Sequence, residues 1–149
     1  MTNKVMYHGT AVRFDVFDRK KIGSVNGTAA GFGFYFGTKS RAETYGTTVL
    51  KCSLDLMQPV SNKRITLPMD VIRALLTDSG YMDNYERLSD ALRDILSGCT
   101  SDTEIIGDII NATGSYIVLD LLRNIGYNYT NDGKDVIMFC SEDISILSK

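Results

Sequence analysis

The chain has 149 residues, 44% of them hydrophobic and 23% charged, proportions of a globular protein that exclude disordered, collagen-like and fibrous classes. Sixteen Lys and Arg stand against eighteen Asp and Glu, a formal charge of -2, so no broad positive field gathers nucleic acid or anionic lipid. Three separated cysteines (Cys52, Cys99, Cys140) without a CxxC pair, and a single histidine, His8, point to free thiols in a reducing compartment and to no metal site.

In chain order, the opening MTNKVMYHGT carries no apolar run after its lysine, and no window approaches the 18 or so apolar residues of a membrane span. A location in the cytoplasm is therefore expected. Lys4 to His8 reads as a short strand that stops at Gly9. Gly23 to Gly33 is a glycine-rich loop, Phe34 to Phe36 is strand-like, and Lys39 to Tyr45 has the composition of a short helix closed by Gly46. From Thr47 to Leu56 the alternation is clean, with Leu50, Cys52, Leu54 and Leu56 on one face and Lys51, Ser53 and Asp55 on the other.

Beyond Pro59 and Pro68 the chain turns helical. Asp83 and Glu86 have the spacing of a capping box ahead of Leu88, Ala91, Leu92, Ile95 and Leu96. Ser101 and Glu104 repeat the device before Ile105, Ile106, Ile109 and Ile110, with Gly114 as the stop. Ser115 to Asn124 forms a further helix closed by Gly126. Strand character returns at Tyr127 to Thr130, turns at Asn131-Asp132-Gly133, and resumes over Asp135 to Cys140 and Ile144 to Leu147. The order predicts one α+β domain over residues 1–149, with N- and C-terminal strands sharing a sheet and a helical insertion at about 68–126.

Several motifs fail on spacing. GFGFYFG at 31–37 misses the GxGxxG dinucleotide fingerprint, and Gly37-Thr38-Lys39-Ser40 lacks the glycines of a phosphate-binding P-loop. Nothing local marks a cysteine as an activated nucleophile beside His8.

Three features remain: Tyr7-His8-Gly9-Thr10 at a strand end, the run Gly31-Phe32-Gly33-Phe34-Tyr35-Phe36-Gly37 with Tyr45 ten residues after Tyr35, and Asp135 opening an apolar strand. Taken singly, each has a plain structural reading: a satisfied histidine, core aromatics, a turn aspartate. Their order resembles the His-Tyr-Glu branch of ADP-ribosyltransferases, which includes the poly-ADP-ribose polymerase catalytic domain, diphtheria-like toxins and small phage-borne transferase domains. The resemblance covers residues 4–56 and 127–147 and leaves the helical zone uncovered.

That resemblance implies a split antiparallel sheet and NAD as substrate. It implies that His8 fixes the nicotinamide-side ribose, that the Gly9 backbone holds the carboxamide, and that Thr10 adds a hydroxyl contact. Tyr35 would pack on one face of the nicotinamide and Tyr45 would close the other, with Phe34 among the cofactor-binding residues, and Asp135 would stand where the family keeps its catalytic glutamate. Electron-rich tyrosine faces suit a flat cationic ring, at roughly 0.5–2 kcal/mol per contact. A carboxylate aimed at the oxocarbenium-like ribose stabilises the transition state above the ground state.

Lys20, Lys21 or Arg41 would lie near the phosphates, under cover of the Gly23–Gly33 loop. Asp135 is one methylene shorter than glutamate, and a shift of about 1 Å is worth on the order of a hundredfold in rate; Glu142 is the alternative acid. Ala42 stands where the polymerase-type pattern has a hydroxyl, with Ser40 nearby. Gly133 replaces the second acid of arginine-directed transferases, which disfavours arginine as acceptor. The implied function is mono-ADP-ribosyl transfer to a protein target recognised through the helical insertion. By likeness to the phage-borne domains, that target would be a host or defence protein in the bacterial cytoplasm, such as a CRISPR surveillance subunit. The alternatives are a non-catalytic module binding NAD or a partner, and an NAD glycohydrolase.

Overall fold

The computed structural model describes residues 2–11, 14, 16–18 and 32–148. The chain divides into two compact units, one built from residues 1–59 and 128–149 and the other from residues 60–127. The class is α+β, with two sheets in the described residues. Gly23 to Gly31, Lys20 and Lys21 lie outside the described residues.

The first unit starts with β1 (Thr2–Thr10), β2 (Phe34–Phe36), helix α1 (Lys39–Tyr45) and β3 (Thr48–Leu56). It continues into β4 (Gln58–Val60) and takes up again with β5 (Tyr127–Asn131), β6 (Val136–Met138) and β7 (Ile144–Ser148). One sheet has the order β1-β3-β7 and the other β2-β6-β5-β4. β3 is central in its sheet, and its even-numbered residues Leu50, Cys52, Leu54 and Leu56 are buried as the alternation requires. They share an apolar core with Phe17, Phe34, Phe36, Val136 and Met138.

Buried Asn128 in β5 ties the two sheets. Its Nδ2 donates to the Asp55 carbonyl at 2.7 Å and to Asp143 Oδ2 at 3.0 Å, and its Oδ1 accepts the Met57 N–H at 2.9 Å. Both N–H donors and the carbonyl oxygen are engaged, which is what allows a polar side chain to sit there.

Helix α1 begins where the sequence places it, with the Thr38 hydroxyl accepting the Arg41 N–H at its N-terminus. Its end differs from the expected left-handed glycine cap. Gly46 has φ 176, an extended backbone. Its bare Cα instead makes room for β1, because a Cβ there would run into the Thr10 backbone.

The second unit holds α2 (Met69–Asp78), α3 (Leu88–Gly98), α4 (Asp102–Thr113) and α5 (Ile117–Asn124). Their buried stripes include Ile72, Leu75 and Leu76, Ala91 and Ile95, Ile105, Ile106 and Ile109, and Val118, Leu119 and Leu122. The Ser101 cap forms, its hydroxyl accepting from the Glu104 N–H at 3.2 Å. The one at Asp83 does not. Asp83 lies in a 3-10 turn, Tyr81–Asn84, and α3 starts after Arg87 with no side-chain cap. Gly114 ends α4 in the left-handed region, φ 66, as its sequence position predicts. No helix of the described residues is long and apolar enough to cross a membrane.

Candidate active site

β1 and β2 belong to different sheets and meet at an isolated bridge, Tyr7 to Gly37. There the Tyr7 N–H donates to the Gly37 carbonyl and the Gly37 N–H to the Tyr7 carbonyl, each at 2.9 Å. Among the described residues no further ladder pairing joins the two strands. Backbone groups of alternate residues face the same edge of a strand, so the Gly9 N–H and C=O face the edge on which Tyr7 meets Gly37. Gly9 is required for a second reason: a Cβ there would run into the Ala42 carbonyl of α1.

His8 reaches from β1 to β2. Its Nδ1 lies 2.6 Å from the Tyr35 carbonyl oxygen. A carbonyl only accepts, so Nδ1 carries the proton. Burial pushes the ring's pKa below its ordinary 6.5, against the opposing pull of that backbone bond. The neutral imidazole therefore keeps its lone pair on Nε2, as an acceptor. Phe14, Phe17 and Phe36 pack around the ring at centroid distances of 5.9, 5.0 and 5.4 Å. Phe34, expected among the cofactor-binding residues, is turned into that core at 7% exposure, its ring 5.3 Å from Phe17. Tyr35, between two core phenylalanines, is half-buried. By the alternation of the strand its side chain takes the other face.

Asp135 comes directly before β6. The register of β2 against β6 pairs Phe36 with Val136, which places Asp135 beside Gly37. A Cβ on Gly37 would lie 2.6 Å from Asp135 Oδ1, so the glycine leaves the space that the carboxylate occupies. The Asp135 backbone is fixed by Asp132, whose Oδ1 accepts the Asp135 N–H at 2.7 Å. Its carboxylate, in a residue 3% exposed, is gripped from α1: Arg41 Nε donates to Oδ1 at 2.8 Å and Nη2 to Oδ2 at 2.9 Å. The Tyr45 hydroxyl donates to Oδ2 at 3.2 Å and accepts from Arg41 Nη2 at 2.7 Å. The guanidinium carbon lies 5.7 Å from the Tyr45 ring centre. Burial and the Asp135 charge raise the phenol above its usual pKa, and the hydrogen bond to Asp135 holds Arg41 further from deprotonation.

The structure thus joins Tyr45 to Asp135 directly and links His8 to Tyr35 through a backbone carbonyl. Phe36 and Val136 share the core beside His8, and Gly37 and Asp135 are each one residue on or back. The imidazole and the carboxylate accordingly take opposite faces of the strands. Thr10, at the end of β1, is buried and paired with Thr48. Glu142 sits in the 3-10 turn Ser141–Asp143 that precedes β7. Ala42 is buried against Gly9.

Arg41 grips Asp135 instead of standing free for a phosphate, a partnership across the chain that its sequence neighbours do not announce. The available signal was its i, i+4 spacing from Tyr45 on one helix face. Among the described residues no group of three or more His, Cys, Asp or Glu is placed to hold a metal ion.

Comparison with protein-family models, curated proteins and solved structures returned no significant match.

Proposed function

We propose that this chain is an NAD-dependent mono-ADP-ribosyltransferase that modifies a protein. The observation that carries the reading is the isolated Tyr7–Gly37 bridge, where β1 of one sheet meets β2 of the other and beyond which no ladder pairing continues among the described residues. At that edge the Gly9 amide and carbonyl match the acceptor and donor of a carboxamide, as a strand would. A nicotinamide riboside seated there has the His8 Nε2 to one side, ready to accept from a ribose hydroxyl. To the other side stand Tyr45 and Asp135, an aromatic face and a carboxylate for a cationic ring and the positive charge that follows its departure. The helical unit is the candidate surface for the protein target, and a bacterial cytoplasm the proposed site of action.

Incubation with labelled NAD and bacterial lysate tests this. The expected result is a labelled protein band and released nicotinamide, both lost in His8→Ala and Asp135→Asn. Nicotinamide release without a labelled acceptor would mean a glycohydrolase.

One observation favours a second reading, a module of the same architecture that binds without turnover. Both Asp135 oxygens are occupied by Arg41, and a carboxylate so held does not face a ribosyl cation until the arginine moves. Thermal stabilisation by NAD with no nicotinamide released would establish the binder.

A further inference from the structure

Arg41 gives Asp135 a planar cation with two parallel N–H donors, and the same guanidinium lies within cation-π range of the Tyr45 ring. A planar cation between a carboxylate and a tyrosine ring is also the chemical description of a pyridinium held at this place. The two members of the ion pair differ in their access to water: the Arg41 side chain is 37% exposed and that of Asp135 3%. Asp135 is further pinned through Asp132 and confined against Gly37. Of the two members of the ion pair, the arginine is the one with a path outward.

We propose that the Asp135–Tyr45 pair is a subsite for planar cations that Arg41 fills in the resting protein, so that a cationic ligand enters only by displacing the guanidinium. The identity of that ligand as a pyridinium riboside rests on the proposed function; occupation of the subsite by Arg41 does not. Displacement makes the binding-competent state a fraction of the population, and apparent affinity falls by that fraction. Removing the guanidinium removes the handicap and leaves the Asp135–Tyr45 site open to a small planar cation.

The test is chemical rescue of Arg41→Ala, followed by thermal melting with methylguanidinium, with methylammonium at equal concentration as a non-planar control, and with 1-methylnicotinamide. Methylguanidinium is expected to raise the melting temperature of Arg41→Ala, methylammonium to do so much less, and wild type to respond to neither. The double variant Arg41→Ala, Asp135→Asn is expected to lose the rescue. If Arg41→Ala does not fold alone, refolding in methylguanidinium replaces melting as the readout, and Arg41→Gln is titrated in parallel. Equal effects of the planar and non-planar cations, or none from either, overturn the proposal.

The 1-methylnicotinamide arm reports on the ligand. The variant is expected to bind it about tenfold or more tightly than wild type, as for a competent state populated near one part in ten. Rescue by methylguanidinium with no gain for 1-methylnicotinamide keeps the subsite and removes the nicotinamide reading.

Discussion

Asp135 and Arg41, 94 positions apart in the chain, meet in a two-point ion pair with N–O distances of 2.8 and 2.9 Å. The pair spans the junction between helix α1 and the start of β6, and joins the two ends of the first unit. Its two members are unequally buried, and that asymmetry sets what each substitution does.

Arg41→Ala leaves a buried carboxylate without its cation, whereas Asp135→Ala leaves an arginine that turns into water. The first is expected to lower the melting temperature by several degrees and the second by clearly less. The double variant should be no worse than Arg41→Ala alone. Calorimetry on the three proteins checks the order.

Gly9 and Gly37 should tolerate no methyl group, for different reasons. In Gly9→Ala the new Cβ meets the α1 backbone at Ala42, which cannot yield without moving the helix. An overpacking cost of about 1–3 kcal/mol is expected from urea denaturation. In Gly37→Ala the Cβ meets the Asp135 carboxylate at 2.6 Å. The expected outcome there is a displaced carboxylate and, for the transferase activity proposed above, a loss of labelling on the order of a hundredfold, with a smaller change in stability.

The pH dependence of stability should carry a His8 component. The native ring binds protons less readily than the unfolded one, whose value is 6.5. Between the lowered native value and 6.5 the unfolded chain holds more protons, so this contribution is whole above about 6.5 and is lost as pH falls. His8→Phe keeps an aromatic ring among Phe14, Phe17 and Phe36 and removes the titration. Melting temperatures from about pH 7 to about pH 5 should fall less steeply in the variant than in wild type.

In the helical unit, fully buried Asp102 serves as a backbone-capping anchor. Its carboxylate accepts the N–H groups of Ser61, Thr66 and Leu67 at 2.8, 2.8 and 3.1 Å and also the Thr66 hydroxyl. Asp102→Ala orphans these donors at about 1–3 kcal/mol each where they stay buried. The variant should lose several kcal/mol, with amide exchange rising first within residues 60–127. Uniform loss of protection across both units would count against that localisation.

Local patterns carried much of the secondary structure. The period-two alternation of β3, the bounds of α1, the Ser101 cap and the Gly114 stop all follow from interactions between residues within about four positions of one another. The Asp83–Glu86 spacing has the same form as Ser101–Glu104 and yet caps nothing, because the chain enters a 3-10 turn there and α3 starts four residues after it ends. A cap needs the right backbone conformation as well as the right residues.

The candidate residues could be listed from motif order, but their partners could not. That His8 turns to the Tyr35 carbonyl, that Phe34 faces the core, and that Arg41 closes on Asp135 depend on strand order β1-β3-β7 and β2-β6-β5-β4. Likewise Gly46 looks like a helix stop in one dimension and proves to be a gap for β1 in three. Short-range preference is written into neighbouring residues and survives in isolation. Contacts across 94 positions exist only once loop closure and core packing have chosen one register among many.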